Sequence, residues 1–162
     1  MIKVSKIIIL LLLSNFLFSV EWYEEGEGGY IVSGDSTVPY NYGTYLNNGS
    51  VTYAILEDGS PIGDEGDFLG AFYEGELRGV LGTYAVPFGP YAGSNFFLML
   101  MYSNASGTEA FNFKFYDASS DQVSDLPETY TFIADDAQGS LTAPVTLTYV
   151  APDGGDDGGD DG

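Results

Sequence analysis

Glu109-Ala110-Phe111-Asn112-Phe113-Lys114-Phe115-Tyr116 is the stretch that decides the fold of this chain. Phe111, Phe113 and Phe115 alternate with Asn112, Lys114 and Tyr116. Successive side chains of a strand point to opposite faces, so the three phenylalanines face a core and the other three face outward. No helix places three such residues on one stripe at that spacing.

The same period appears on either side. Ser50 to Leu56 alternates Val51, Tyr53 and Ile55 with Thr52 and Ala54, and Asp58-Gly59-Ser60-Pro61 turns the chain. Phe68 to Tyr73 and Glu76 to Gly82 form a hairpin around Glu74-Gly75, a pair chemically close to the Asp-Gly and Asn-Gly turns that supply positive φ. Asn95 to Tyr102 is apolar on both faces, with Phe96, Leu98 and Leu100 against Phe97, Met99 and Met101. Such a strand is expected to be central and covered on both sides. The alternative is an outer face that serves binding or assembly. Further strands are expected at Glu128 to Ala134 and Leu141 to Val150. Glycine, asparagine, aspartate, serine and proline separate the runs, and no helical period intervenes. The fold class that follows is all-β, an antiparallel β-sandwich of about seven to nine strands, with a barrel as the second choice.

The ends read differently from this body. Lys3 and Lys6 precede the aliphatic run Ile7 to Leu13, and Ser19 offers a small residue for cleavage. Residues 1–19 are therefore expected to be a secretory signal peptide, since about a dozen apolar residues fall short of the ~20 of a membrane span. Residues 20–45, rich in Gly, Tyr and Glu, are expected to be loosely ordered. Residues 46–150 carry the sandwich. Residues 151–162, with the run Asp153-Gly154-Gly155-Asp156-Asp157-Gly158-Gly159-Asp160-Asp161-Gly162, form an Asp/Gly-rich linker that cannot enter a core. Linkers ordinarily join domains, so a piece of a longer modular chain is the expectation, with a disordered terminal tail as the alternative.

Charge narrows the function. The chain has 24 Asp and Glu against 4 Lys and Arg, with no His and no Cys. After signal cleavage only Arg78 and Lys114 remain as cations against 24 acids, a balance of −22. Nucleic acid is excluded as a partner, because its backbone needs cations to displace counterions. Membrane insertion after cleavage is not expected either. Triads, Cys nucleophiles and phosphate-cradling loops find no residues here. Glycosidase carboxylate pairs have no support from spacing. The expectation is a protein that is not an enzyme.

Three groups of residues are candidates for binding. Asp58, Asp64, Glu65 and Asp67 lie on one loop, and oxygen-rich loops suit Ca²⁺. A solvated acidic loop is the plainer reading. Asp117, Asp121 and Asp125 recur at every fourth residue and pose the same choice. Tyr84, Phe88 and Tyr91 stand in a loop stiffened by Pro87 and Pro90, suited to stacking on an extracellular polysaccharide or to capping one end of the sandwich. Arg78 is either a clamp for a carboxylate ligand or the centre of an internal ion pair, and the surplus of acids favours the pair.

Two blocks carry a family resemblance. They are Asp67-Phe68-Leu69-Gly70-Ala71-Phe72 with Gly75-Glu76-Leu77-Arg78-Gly79-Val80, and Phe113-Lys114-Phe115-Tyr116-Asp117-Ala118 with the later Pro144-Val145-Thr146-Leu147. Over residues 45–149 the chain resembles a β-domain of about 100 residues, often in tandem, in secreted and cell-surface modular proteins of type IX-secreting and related bacteria. Leu77 stands where that pattern often has Cys. The resemblance implies a non-catalytic extracellular module of modular proteins; adhesion, spacing or display is the expected role, with extracellular polysaccharide or neighbouring surface proteins as expected partners.

Overall fold

A computed structural model describes residues 42–151. The expected signal peptide, most of the 20–45 segment and the Asp/Gly-rich tail lie outside the described residues. Among the described residues there is no helix long and apolar enough to cross a membrane.

Ten strands follow a short 3-10 turn at Tyr42–Thr44: β1 (Asn47–Glu57), β2 (Ser60–Ile62), β3 (Phe68–Tyr73), β4 (Glu76–Gly82), β5 (Tyr84–Ala85), β6 (Asn95–Ser103), β7 (Ala110–Asp117), β8 (Gln122–Thr131), β9 (Ala137–Gln138) and β10 (Val145–Thr148). They make an all-β sandwich. One sheet runs β4-β3-β7-β8 and is antiparallel throughout. The other runs β10-β1-β6-β5, with β2 and β9 also on β1. Its β1–β2, β1–β6 and β5–β6 pairs are antiparallel, whereas β9 and β10 join β1 in parallel.

Turn chemistry explains the hairpins. Glu74 and Gly75 have φ of 51° and 80°, and Asp58 and Gly59 have 50° and 79°. Two consecutive positive-φ residues make the tight turn whose twist matches that of the strands. β3 and β4 match the sequence reading residue for residue. β8 does not: it starts at Gln122 rather than Glu128, because its first half is an exposed edge whose Ser and Asp read locally as turn. A register break between Asn112 and Phe113 leaves Pro127 and Glu128 unpaired with β7. Proline has no N–H to give a ladder, so a break accommodates it.

The inner faces interdigitate as the alternation required. Phe111, Phe113 and Phe115 of β7 meet Val51, Tyr53 and Ile55 of β1 and Phe97, Met99 and Met101 of β6, all nearly inaccessible. The rings cross at angles, with Tyr53 against Phe113 at 5.1 Å and Phe97 against Phe115 at 6.1 Å. Such edge contacts suit the ring quadrupole. β4 of one sheet passes close against β6 of the other. A Cβ on Gly79 would lie 2.5 Å from the Leu100 carbonyl oxygen, so only glycine fits without displacement.

Two expectations about outer faces need correction. Tyr116 does point away from the core, but it is buried in a second small cluster with Phe72, Leu77 and Val80. Phe96, Leu98 and Leu100 were expected to be covered together. Phe96 is, beneath Val86 and beside Ala54, while Leu98 and Leu100 are 37% and 49% exposed. The 86–94 loop is long enough to roof only the first of the three.

Candidate functional site

The Tyr84–Asn95 segment is a hairpin that continues β5 and β6 beyond their ladder. Tyr84 pairs with Phe96 and Ala85 with Asn95. The Val86 amide then donates to the Ser94 carbonyl at 2.8 Å, and the Gly93 amide to the Val86 carbonyl at 3.0 Å. Buried Val86 pins the base. Tyr91 is half-buried, its ring 5.2 Å from that of Phe96. Tyr91 therefore roofs the outer face of the sheet. Tyr84 and Phe88 remain exposed, at 43% and 62%. Tyr84 is on β5, Phe88 is in the turn of the hairpin, and Tyr91 packs back on Phe96.

Register places Tyr84 on the same face as Phe96, Leu98 and Leu100, since directly opposed residues project alike. Across the β1–β6 ladder, Thr52 opposes Leu98 and Ser50 opposes Leu100. Thr146 continues the face on β10 beside Ala54. The result is a shelf of apolar and hydroxyl side chains, walled at one end by the hairpin and by Leu141. No strand position on it carries a charge. Its signal in the sequence was the double-sided hydrophobicity of Asn95 to Tyr102.

The acidic loop does something else. Asp67 is buried, and its carboxylate accepts two backbone amides: Asp64 N–H on Oδ2 at 2.6 Å and Ala118 N–H on Oδ1 at 2.8 Å. It ties the loop before β3 to the β7–β8 turn. Burial pushes its pKa up, opposed by the two amides and reinforced by Asp117 and Asp64. Asp58, in the β1–β2 turn, and Asp64 and Glu65 are exposed. No group of three or more acidic side chains able to hold a metal is found among the described residues, so Asp58, Asp64, Glu65 and Asp67 are not brought together as one such group. The physical reason is that Asp58 belongs to the β1–β2 turn, whereas Asp67 precedes β3 and turns inward to two backbone amides.

The second acidic trio is also divided. Asp117 holds the β7–β8 turn, accepting from the amides and hydroxyls of Ser119 and Ser120. Burial raises its pKa, but these bonds outweigh it and leave the carboxyl below the ordinary range. Asp121 accepts from the Tyr116 hydroxyl at 3.0 Å. Asp125 pairs across the sheet with Lys114 at 2.9 Å.

Arg78 is the extra residue of a bulge. β3 and β4 pair Ala71 with Gly79 and Phe72 with Leu77, leaving Arg78 between them. A bulge re-aims a side chain. Here it sends the guanidinium over the Tyr45 ring at 4.7 Å and the Tyr73 ring at 5.3 Å. Nη2 meets Glu76 Oε2 and Nη1 meets Glu109 Oε2, each at 3.0 Å. Ser103 Oγ donates to the same Glu109 oxygen at 2.6 Å. Occupied by two carboxylates, this cation is an internal tie rather than an open clamp. It also docks Tyr45, while Tyr42 sits on Tyr102 at 5.5 Å, so the domain begins earlier than residue 46.

No family model matches the chain, and no curated protein and no solved structure is similar enough to match it.

Proposed function

We propose that this chain is a secreted, non-catalytic sandwich module that spaces or displays other parts of an extracellular or cell-surface protein. The observation that carries this reading is the direction of β10. Because β10 runs parallel to β1, the chain enters at the Asn47 end of β1 and leaves beside Leu56, where the Tyr149 amide donates to the Leu56 carbonyl. At ~3.3 Å per residue, those points are about 30 Å apart, on opposite poles. An antiparallel last strand would have returned the chain to its starting pole. Opposite poles let a domain extend a chain in line, which is what a spacer requires. The acidic surface favours solubility and mutual repulsion outside the cell. The resemblance over residues 45–149 and the leader-like residues 1–19 support the same reading.

The test uses intact cells of the producing organism carrying the full chain with an epitope after Gly162. External protease should remove the epitope, and deletion of residues 42–151 should reduce attachment or epitope accessibility. A chain found only inside intact cells would overturn the proposal.

A further inference from the structure

We infer that the shelf formed by Tyr84, Leu98, Leu100, Ser50 and Thr52 binds an uncharged polysaccharide chain; this rests on the reading of the protein as an extracellular module. Three observations lead there. The first is charge. On a chain with 24 acids, the strand positions of this face carry none. The other sheet carries the Lys114–Asp125 pair, and the Arg78 cluster lies at the β4 and β7 ends. An anionic polymer would be repelled by the surrounding carboxylates, and a cationic one would find nothing on the shelf to pair with.

The second is chemical mixture. A sugar ring presents an apolar C–H face and a rim of hydroxyls. The exposed Tyr84 ring and the two leucines offer the apolar counterpart, and Ser50 and Thr52 stand beside them as donors and acceptors. Hydroxyl side chains bond a neutral polyol without the desolvation cost of an ion.

The third is size. Tyr84, Leu98 and Leu100 are each between 37% and 49% exposed. Together they offer at most a few hundred Å², within the range of single patches on monomers. A stable protein partner covers ~800 Å² on each side. A second copy of this chain would also bring another strongly acidic surface alongside. A narrow, flat polymer lying along β6 fits the area available. The sequence pointed to the Tyr84–Tyr91 loop for this task. The shelf is preferred to that loop because the Tyr91 ring is engaged with Phe96 and Phe88 belongs to the turn of the hairpin rather than to a strand of the face.

The experiment is sedimentation of the full chain with suspended cellulose, chitin and an insoluble β-glucan, and with a polygalacturonate gel as the anionic polymer. At least one uncharged polymer should retain the protein, and high salt should leave retention unchanged. Tyr84→Ala, and separately Leu98→Ser with Leu100→Ser, should each lower retention about tenfold, an effect readable against an unchanged thermal midpoint because all three residues are exposed. Phe88→Ala should have no effect. Retention by no uncharged polymer would overturn the inference. So would preference for the anionic gel, or loss caused by Phe88→Ala alone, which would put the site at the hairpin tip. A dimer in analytical ultracentrifugation that Leu98→Ser with Leu100→Ser dissociates would assign the shelf to a second copy. None of these failures touches the cell-surface test above, which reads location and spacing.

Discussion

Replacing Arg78 with methionine should be among the most destabilising single changes in this domain. Arg78 is 7% exposed, and the Glu109 side chain beside it is 13% exposed. Methionine keeps much of the volume but leaves the Glu109 carboxylate in that pocket with only the Ser103 hydroxyl as partner. Removing one member of a buried ion pair costs about 3–5 kcal/mol, mostly through the stranded charge. Glu76 adds little, since its side chain is 62% exposed and an exposed pair contributes less than ~1 kcal/mol. Urea titration of the full chain, followed by far-ultraviolet circular dichroism, reads the loss. With a slope of ~1–3 kcal/mol/M, the midpoint should fall by about 1–5 M. The double variant Arg78→Met with Glu109→Gln removes both charges, so it should cost less than the sum of the singles by at least ~2 kcal/mol. A single variant within ~1 kcal/mol of the parent, or strictly additive singles, would refute the account of Arg78 as a tie between Tyr45, β4 and Glu109.

Three other expectations follow from the geometry. Gly79→Ala should cost about 1–3 kcal/mol in the same titration, through collision with the Leu100 carbonyl, whereas Gly75→Ala, with φ of 80° and empty space around it, should cost ~1–2 kcal/mol through backbone strain alone. Tyr53→Phe should stabilise by about 1 kcal/mol, because the Tyr53 hydroxyl is buried without a hydrogen-bond partner among the described residues; a loss of stability would show that the hydroxyl is satisfied. Asp67→Asn should be most harmful in acid. With its folded pKa raised above the ordinary 3.8, Asp67 holds its proton more tightly folded than unfolded, so the stability it adds is full below that value and is lost as pH rises through the folded pKa. The cost of the substitution, measured by urea titration from pH 4 to pH 7, should therefore shrink as pH rises; a cost that grows would contradict the burial argument.

Much of the architecture was legible because its causes are local. The period of two around Phe111, Phe113 and Phe115 gave the inner face of β7, and Glu74-Gly75 gave the hairpin turn. β8 was misjudged at its start because Ser124 and Asp125 are typical of turns, and only pairing with β7 makes that edge a strand. The acidic loop was legible as composition but not as geometry. Nothing near Asp67 in the chain announces that its partner will be the Ala118 amide, 51 residues away. Likewise, the surplus of acids favoured an ion pair for Arg78, yet Glu109 lies 31 residues on, brought there by the β3–β7 ladder and a bulge.

The apolar character of both sides of Asn95 to Tyr102 was plain from one residue to the next, but its meaning was not. Covering Phe96 while leaving Leu98 and Leu100 open depends on where the 86–94 hairpin folds back. The direction of β10 is of the same kind: four alternating residues define a strand but not its sense. Side-chain period and turn preference are properties of neighbours along the chain, and they settled strands and turns. The open shelf, the buried cation and the separation between the entry to β1 and the exit from β10 arise from contacts between distant segments. Those contacts exist only once the two sheets have packed.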